Sequence, residues 1–400
     1  MTSQAAEAQA PETWTADDGD APLVHAATRK RLLRRLMDVV ALPSSRTSVQ
    51  DRAIAGDLLL EVLLHVDPSE RDLCARRLEQ MSQAPKRLLR YLAMQTTPAC
   101  ERLLSENIGL DEADLAYIAL QSGAPQRLAI ARRKDAGPGV SRAIAASGDP
   151  VAMKALLENN TSVLSDQAID LMVVASRDAN ELTPLLAQRE EMRPANALAM
   201  FWWCKKQVRR SILTRFSAER SMLIDECADI FREAAENGAW SDPVIRKALQ
   251  VIERRQRNRA AIERSPFESL EDAVLAASKN GMDPFTMDEI SLLSGIHPTT
   301  GKRIMTDPGG EGVAILCKAT GLRRRFLREL WVGLGRAGSE HDQTFEWVSD
   351  IYESMVVAKA QTVLRYWNWS LSSAFALQGV VAAAADAEAY QDINAESGVA

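Results

Sequence analysis

Thr97-Pro98-Ala99-Cys100-Glu101-Arg102-Leu103-Leu104-Ser105-Glu106-Asn107 and Asp149-Pro150-Val151-Ala152-Met153-Lys154-Ala155-Leu156-Leu157-Glu158-Asn159 follow one plan. Each opens on a side chain that can cap a helix, places proline next, and closes on Glu-Asn. The cap serves the free N–H groups of the first turn, and the fixed φ of proline suits the first helical position. Ala99 with Leu103, and Ala152 with Leu156, recur at helical spacing. Each stretch runs on to a second helical pattern, Asp111 to Ala119 and Asp166 to Ala175. Ala131-Arg132-Arg133 before Pro138 pairs in the same way with Ala187-Gln188-Arg189 before Pro194, so the offset is about 52 to 56 residues. A helix pair cannot bury its apolar face alone. Its repetition predicts an all-α protein, an α-solenoid of stacked helical hairpins followed by a second helical module.

The same reading extends outward. Leu32, Leu33, Leu36, Met37 and Val40 share one helix face, with Arg29, Lys30, Arg31, Arg34 and Arg35 largely around the other. Asp67-Pro68-Ser69-Glu70 and Asp242-Pro243 repeat the cap-then-proline start. Ser265 with Glu268, and Thr286 with Glu289, have capping-box spacing. No sustained apolar–polar alternation occurs. Asn237-Gly238 and Asn280-Gly281 follow helical runs and read as helix ends, so no strands are expected. A shorter tandem lies further on. With Gly295 set on Gly321, Ile290 matches Leu316, Ile296 matches Leu322 and Ile304 matches Leu330, a helix–turn–helix unit recurring after 26 residues.

Composition bounds the function. The 400 residues are 46% hydrophobic and 26% charged, which excludes disorder along the whole length. A net charge of -6 excludes a chain built as a whole to coat nucleic acid or an anionic membrane, though not a local basic face. Five cysteines without a CxxC pair fit a reduced compartment. The first residues carry acids and no apolar run, so no signal peptide is expected, and Ala374 to Ala385 is too short to cross a bilayer. A cytoplasmic protein with no membrane span follows. The expected organisation is an acidic disordered tail at 1–24, a repeat domain at 25–200, Arg-rich connecting helices at 201–264, a helical module at 265–375 and an Ala-rich tail at 376–400.

One resemblance covers about three quarters of the chain. It rests on Lys86-Arg87-Leu88-Leu89-Arg90-Tyr91-Leu92-Ala93, Leu110-Asp111-Glu112-Ala113-Asp114-Leu115 and Arg127-Leu128-Ala129-Ile130-Ala131-Arg132-Arg133. Gly148-Asp149-Pro150-Val151, Leu156-Leu157-Glu158-Asn159-Asn160 and Arg209-Arg210-Ser211-Ile212-Leu213-Thr214-Arg215-Phe216 complete it, and Ile290 to Leu330 matches the C-terminal part. The chain resembles an uncharacterised alphaproteobacterial family, a domain of unknown function with HEAT-like helical repeats. That resemblance implies an α-solenoid, no known activity, and structural roles for Arg87 and Arg90.

The chemistry-bearing patterns are weak. His25, His65, His297 and His341 are scattered, with no HExxH motif. Gly295 to Lys302 has five residues between its glycines and Arg303 after its lysine, so it is not a phosphate-binding loop. Gly309-Gly310-Glu311-Gly312 reads as a flexible turn between helices. No G-x-S-x-G elbow occurs, and Asp111, Glu112 and Asp114 sit where acids stabilise a helix start. Hence no catalytic, cofactor-binding or metal-binding residue is expected.

Two groups remain as candidate contacts. The tandem would present Arg323, Arg324, Arg325 and Arg328 on a recognition-helix side, with Lys302 and Arg303 in the first copy. The same spacing also describes two packed helices, and Gly301 stands where a buried aliphatic residue is expected. Lys205, Lys206, Arg209 and Arg210 form a further basic region, as do Arg254, Arg255, Arg257 and Arg259. Trp202, Trp203, Trp367 and Trp369 fall in two aromatic clusters that serve either the core or a partner interface. The expected function is a non-enzymatic scaffold binding a protein partner on the solenoid surface. The alternative is a nucleic-acid-binding regulator. The sequence leaves the oligomeric state open.

Overall fold

Proline in the first turn with a capping side chain just before it starts the helices at Pro98, Pro150 and Pro284, whereas Asp67 before Pro68 makes no capping hydrogen bond. The computed structural model describes residues 21–43, 45–107, 109–218, 264–336 and 339–372, with scattered positions between 226 and 248. Among these every regular element is helical. The expected acidic tail up to residue 20, the arginines at 254–259 and the Ala-rich tail lie outside the described residues. The chain forms two compact units. One reaches Ser147 and adds Thr161–Val163; the other takes Gly148–Asn160 and everything from Leu164 onward.

The first unit contains α1 (Ala21–Val40), α2 (Val49–Leu63), α3 (Pro68–Leu78), α4 (Lys86–Ala93), α5 (Pro98–Glu106), α6 (Glu112–Gln121), α7 (Ala124–Ala131) and α8 (Pro138–Ala146). From α2 onward each helix rests on the one two places along: α2 on α4, α3 on α5, α4 on α6, α5 on α7, α6 on α8. Buried Leu88, Leu89, Leu92, Leu103, Leu104 and Ile118 fill the space between.

Polar side chains stitch the rows by capping helix C-termini. The amide of Asn107 donates to the carbonyls of Leu78 and Glu79 at 2.8 and 2.7 Å, closing α3. Arg133 donates to Leu104 and Asn107 carbonyls at 2.6 and 3.2 Å, closing α5. The last carbonyls of a helix have no partner inside it, and a cation suits the negative end of the dipole. Arg133 is braced by Asp135, and its guanidinium holds that carboxyl below the usual range.

The second unit opens with α9 (Pro150–Glu158), α10 (Asp166–Ala175), α11 (Leu182–Gln188), α12 (Pro194–Met200), a 3-10 turn (Phe201–Trp203) and α13 (Lys206–Arg215). Here α9 rests on α11, α10 on α12 and α11 on α13. Arg189 repeats the Arg133 device 56 positions later, donating to the Asn159 carbonyl at 3.2 Å with Glu191 as its brace. The repeated helices α5 and α9 have equal length, and each is capped by the residue before its proline, Thr97 and Asp149.

The remainder is α14 (Leu270–Asn280), α15 (Pro284–Leu293), α16 (Pro298–Thr306), α17 (Glu311–Thr320), α18 (Arg324–Gly333), α19 (Ser339–Ser354) and α20 (Val357–Ser372). Every residue of α17 except Lys318 is buried, as expected of a helix apolar around its circumference. It packs against α16, α18, α19 and α20. The 26-residue tandem ends its first helices alike. Gly295 and Gly321 take φ of +74° and +79°, and the amides of Ile296 and Leu322 donate back to Ser291 and Cys317 at 3.0 Å. Glycine is favoured there because a side chain is strained at positive φ.

Gly301, placed where an aliphatic residue was expected, has a structural reason. A Cβ there would stand 1.8 Å from Ser291 Oγ, so α15 and α16 cross too closely for any side chain. Two helix starts also differ from expectation. Asp283 and Pro284 begin α15, and Thr286 donates its hydroxyl to Asp283 rather than capping. Ser269 caps α14, while the Ser265 hydroxyl donates to Glu289 at 2.6 Å. The compact units divide near residue 148. The contacts that tie α12 and α13 to the C-terminal helices are side-chain contacts at long sequence separation.

Candidate interaction surfaces and the buried cluster beneath them

The aromatic run at 201–203 follows α12 as a 3-10 turn. Each residue advances about 120° there, so three adjacent rings cannot share a side. Phe201 and Trp202 turn inward and Trp203 stays half-exposed. Trp367 of α20 is fully buried against both, with ring centroids 4.9 Å from Phe201 and 4.8 Å from Trp202. Its indole N–H donates to the Leu198 carbonyl at 3.2 Å, meeting the requirement of a buried indole. Trp202 and Trp367 are therefore core residues and not exposed anchors. Trp203 donates to Ser176 Oγ at 2.9 Å, with Arg177 over its ring at 4.8 Å. Trp369 lies on α20, and its side chain is outside the described residues.

Beside this cluster α13 inserts Arg209, 6% exposed. Its guanidinium makes a two-pronged pair with Asp307 at 2.6 and 2.9 Å and reaches Glu311 at 3.0 Å. Its remaining donors go to the carbonyls of Cys204 and Trp202 at 3.0 and 3.3 Å. Burial alone would lower its pKa; the hydrogen bond and charge of Asp307, with the charge of Glu311, outweigh that and raise it. Glu311 also accepts from Trp347 Nε1 at 3.2 Å, and Asp307 accepts from the Gly310 amide at 3.3 Å. Half-buried Arg336 caps α16 through the carbonyls of Met305 and Asp307, and burial lowers its pKa against the pull of both acids. Two cations and two carboxylates thus form a neutral cluster. The sequence marked Arg209 as basic surface and Glu311 as part of a loose turn. Only the partnership across 98 and 102 positions identifies them as a lock.

The basic region of α13 is split by its helix. Arg209 points inward, while Lys206 and Arg210, one turn apart, bracket the Trp347 ring at 4.4 and 4.9 Å. Arg210 also pairs with Asp350 at 2.9 Å.

The tandem's arginines lie at the N-terminal end of α18, a helix packed against α14, α17 and α19. Arg323, Arg324, Arg325 and Arg328 are all exposed. Arg323 is the N-cap residue. Arg324 donates to Ser349 Oγ at 3.1 Å and faces Glu353 at 3.6 Å. Arg328 covers the Phe345 ring at 4.9 Å, and Arg325 covers the adjacent Phe326 ring at 4.5 Å. Lys302 is exposed on α16, and Arg303 covers the Trp202 ring at 5.5 Å. The structure thus joins Arg303, Trp202 and Trp367 in one place, with Arg324 and Arg328 leaning on α19.

In the first unit, α4 and α6 carry a face that sequence reasoning passed over. Tyr91 and Tyr117, 26 positions apart, are both half-exposed. Arg71 stands over the Tyr91 ring at 6.0 Å and Arg90 over the Tyr117 ring at 5.6 Å. Around them Arg87 faces Asp57 at 3.5 Å, Lys86 pairs with Asp111, and Arg90 pairs with fully buried Asp114. Their common 26-residue spacing was the available signal.

Among the described residues no three His, Cys, Asp or Glu side chains are placed to hold a metal ion. Burial pushes the thiols of Cys74, Cys204 and Cys317 up to about 12. No described helix is long and apolar enough to cross a membrane. A cleft of about 320 Å³ opens between α5 and α7, bordered by Glu101, Leu128 and Arg132.

Comparison with curated proteins and with solved structures gave no match. A family model described as "Uncharacterised protein conserved in bacteria (DUF2336)" matches residues 100–365. That span runs from the first turn of α5 into the middle of α20, taking in the Arg133 and Arg189 caps, the Arg209 lock and the glycine-terminated tandem. The chain belongs to the DUF2336 family of uncharacterised proteins conserved in bacteria.

Proposed function

We propose that the protein is a cytoplasmic HEAT-like α-solenoid, related to an alphaproteobacterial family, that works without catalysis as a scaffold for a protein partner. The observation that carries this reading is the α4–α6 face. Two half-exposed tyrosines 26 positions apart, each under an arginine, supply the residue types enriched at the centres of interfaces. Stacked helices present such residues on an extended surface without needing a pocket. The test is capture from native lysate by the full-length tagged chain, with and without nuclease, beside a Tyr91→Ala/Tyr117→Ala variant. A defined protein should persist after nuclease and fall about tenfold or more with the double variant, since interface tyrosines commonly contribute over 1 kcal/mol each. Equal capture by both chains removes this face from consideration.

A second reading has its own observation. Arg323 and Arg325 are exposed and lack any acidic partner within ion-pair distance among the described residues. If nucleic acid co-purifies and the captured proteins vanish with nuclease, those residues are its contacts. Replacing both by alanine should then reduce the slope of log K against log salt by about 2.

A further inference from the structure

Among the described residues, none covers an apolar surface of the first hairpin, at the end of a row of stacked helices. Such ends ordinarily carry a polar outer face. On α1, Leu33, Met37 and Val40 are buried, and Lys30 and Asp38 reach across to Glu70 and Arg77 of α3 at 3.5 and 2.9 Å. The helical period then leaves Leu32 and Val39 facing outward, 48% and 38% exposed. On α2, Ala55, Leu59 and Leu63 are buried, and Asp57 meets Arg87 at the α4 edge. Ile54 and Leu58, one turn apart, are left 60% and 53% exposed. The two helices pack directly on each other, so one hairpin carries both apolar rows.

The charges flanking these rows differ in sign. Arg31 and Arg35 are exposed beside Leu32 and Val39 on α1. Asp57 and Glu61 are exposed beside Ile54 and Leu58 on α2. A surface with a basic half and an acidic half is complementary to its own copy rotated by a two-fold axis, with α1 over the partner's α2 on both sides.

We propose that the α1–α2 hairpin is the contact through which two copies of this chain form a symmetric dimer. The contact is small. Fifteen residues of α2 extend about 22 Å, and two helices are about 20 Å wide. That footprint, about 450 Å², is below the roughly 800 Å² per partner of a standard interface, so the dimer is reversible with a Kd in the micromolar range. The inference does not depend on the scaffold reading, whose face is on α4 and α6.

Sedimentation equilibrium of the full-length protein from about 1 to about 200 µM tests it, that range bracketing a micromolar Kd. Wild type should pass from monomer to dimer, and Leu58→Asp should weaken the association at least about tenfold. Arg31→Glu/Arg35→Glu and Asp57→Arg/Glu61→Arg should each be monomeric alone, because like charges then oppose at both contacts. An equimolar mixture of the two should pair, since both contacts become complementary. Circular dichroism melts of the separate variants check that each is folded. A wild-type monomer throughout the range overturns the proposal, as does a dimer indifferent to the charge reversals, or a folded mixture that does not pair. Dimerisation appearing only after deletion of residues 2–20 also overturns it, because the acidic N-terminal segment then covers the face in the intact chain.

Discussion

Arg209→Met is expected to destabilise the second unit by about 3–5 kcal/mol, the usual cost of removing one partner from a buried ion pair. Asp307 and Glu311 are 6% and 1% exposed and would be left facing half-buried Arg336. At about 2–4 °C per kcal/mol for a body of this size, the thermal midpoint should drop by roughly 10 °C. Arg209→Lys should not rescue it. An ammonium cannot make the two-pronged bond to Asp307 while also serving Glu311 and two carbonyls. Arg209→Met/Asp307→Asn should recover at least half of the loss, since one charge of each sign is removed and Glu311 still faces half-buried Arg336. Urea titrations of the three variants provide the check. Cys204 and Cys317 supply a second readout: burial holds both thiols near 12, so thiol reagents should label them only as the unit opens. A single variant as stable as wild type would show that the cluster contributes nothing net to folding.

Trp367→Ala should cost a comparable amount, about 3–5 kcal/mol. The side chain is fully buried, stacks on Phe201 and Trp202, and donates to the Leu198 carbonyl, so its loss leaves a cavity and an unmet acceptor. Trp367→Phe keeps most of the volume and should cost less than half as much. The two sites share a neighbour, because Arg209 stands over the Phe201 ring at 4.8 Å. Their losses should therefore not add. A double-mutant cycle should give a coupling of about 0.5–3 kcal/mol, and strict additivity would mean that the aromatic cluster and the charge cluster are independent.

How much of this was legible in the residue order depends on the range of the interaction. Helix starts at Pro98 and Pro150 could be read directly, because a cap and a proline act within one turn. The glycine turns at 295 and 321 were legible for the same reason. Where two local signals competed the reading slipped: Thr286 has capping-box spacing with Glu289, yet Asp283 with Pro284 caps more strongly. The matched Arg133 and Arg189 were visible as a repeat, but their role as caps on a neighbouring helix was not.

The sequence by itself determined the all-helical class, helix starts such as those at Pro98 and Pro150, and a tandem closed by glycine turns. All of these are set by backbone conformations and hydrogen bonds spanning a few residues. Tertiary structure alone decided which polar and aromatic residues face inward. Arg209 and Arg210 are adjacent and chemically identical, yet one is locked by acids about 100 positions away and the other lies over an exposed-edge tryptophan. Trp202 and Trp203 divide in the same way at a 3-10 turn. Burial of a charge or an indole is favourable only where partners converge on it, and that convergence belongs to helices brought together in space.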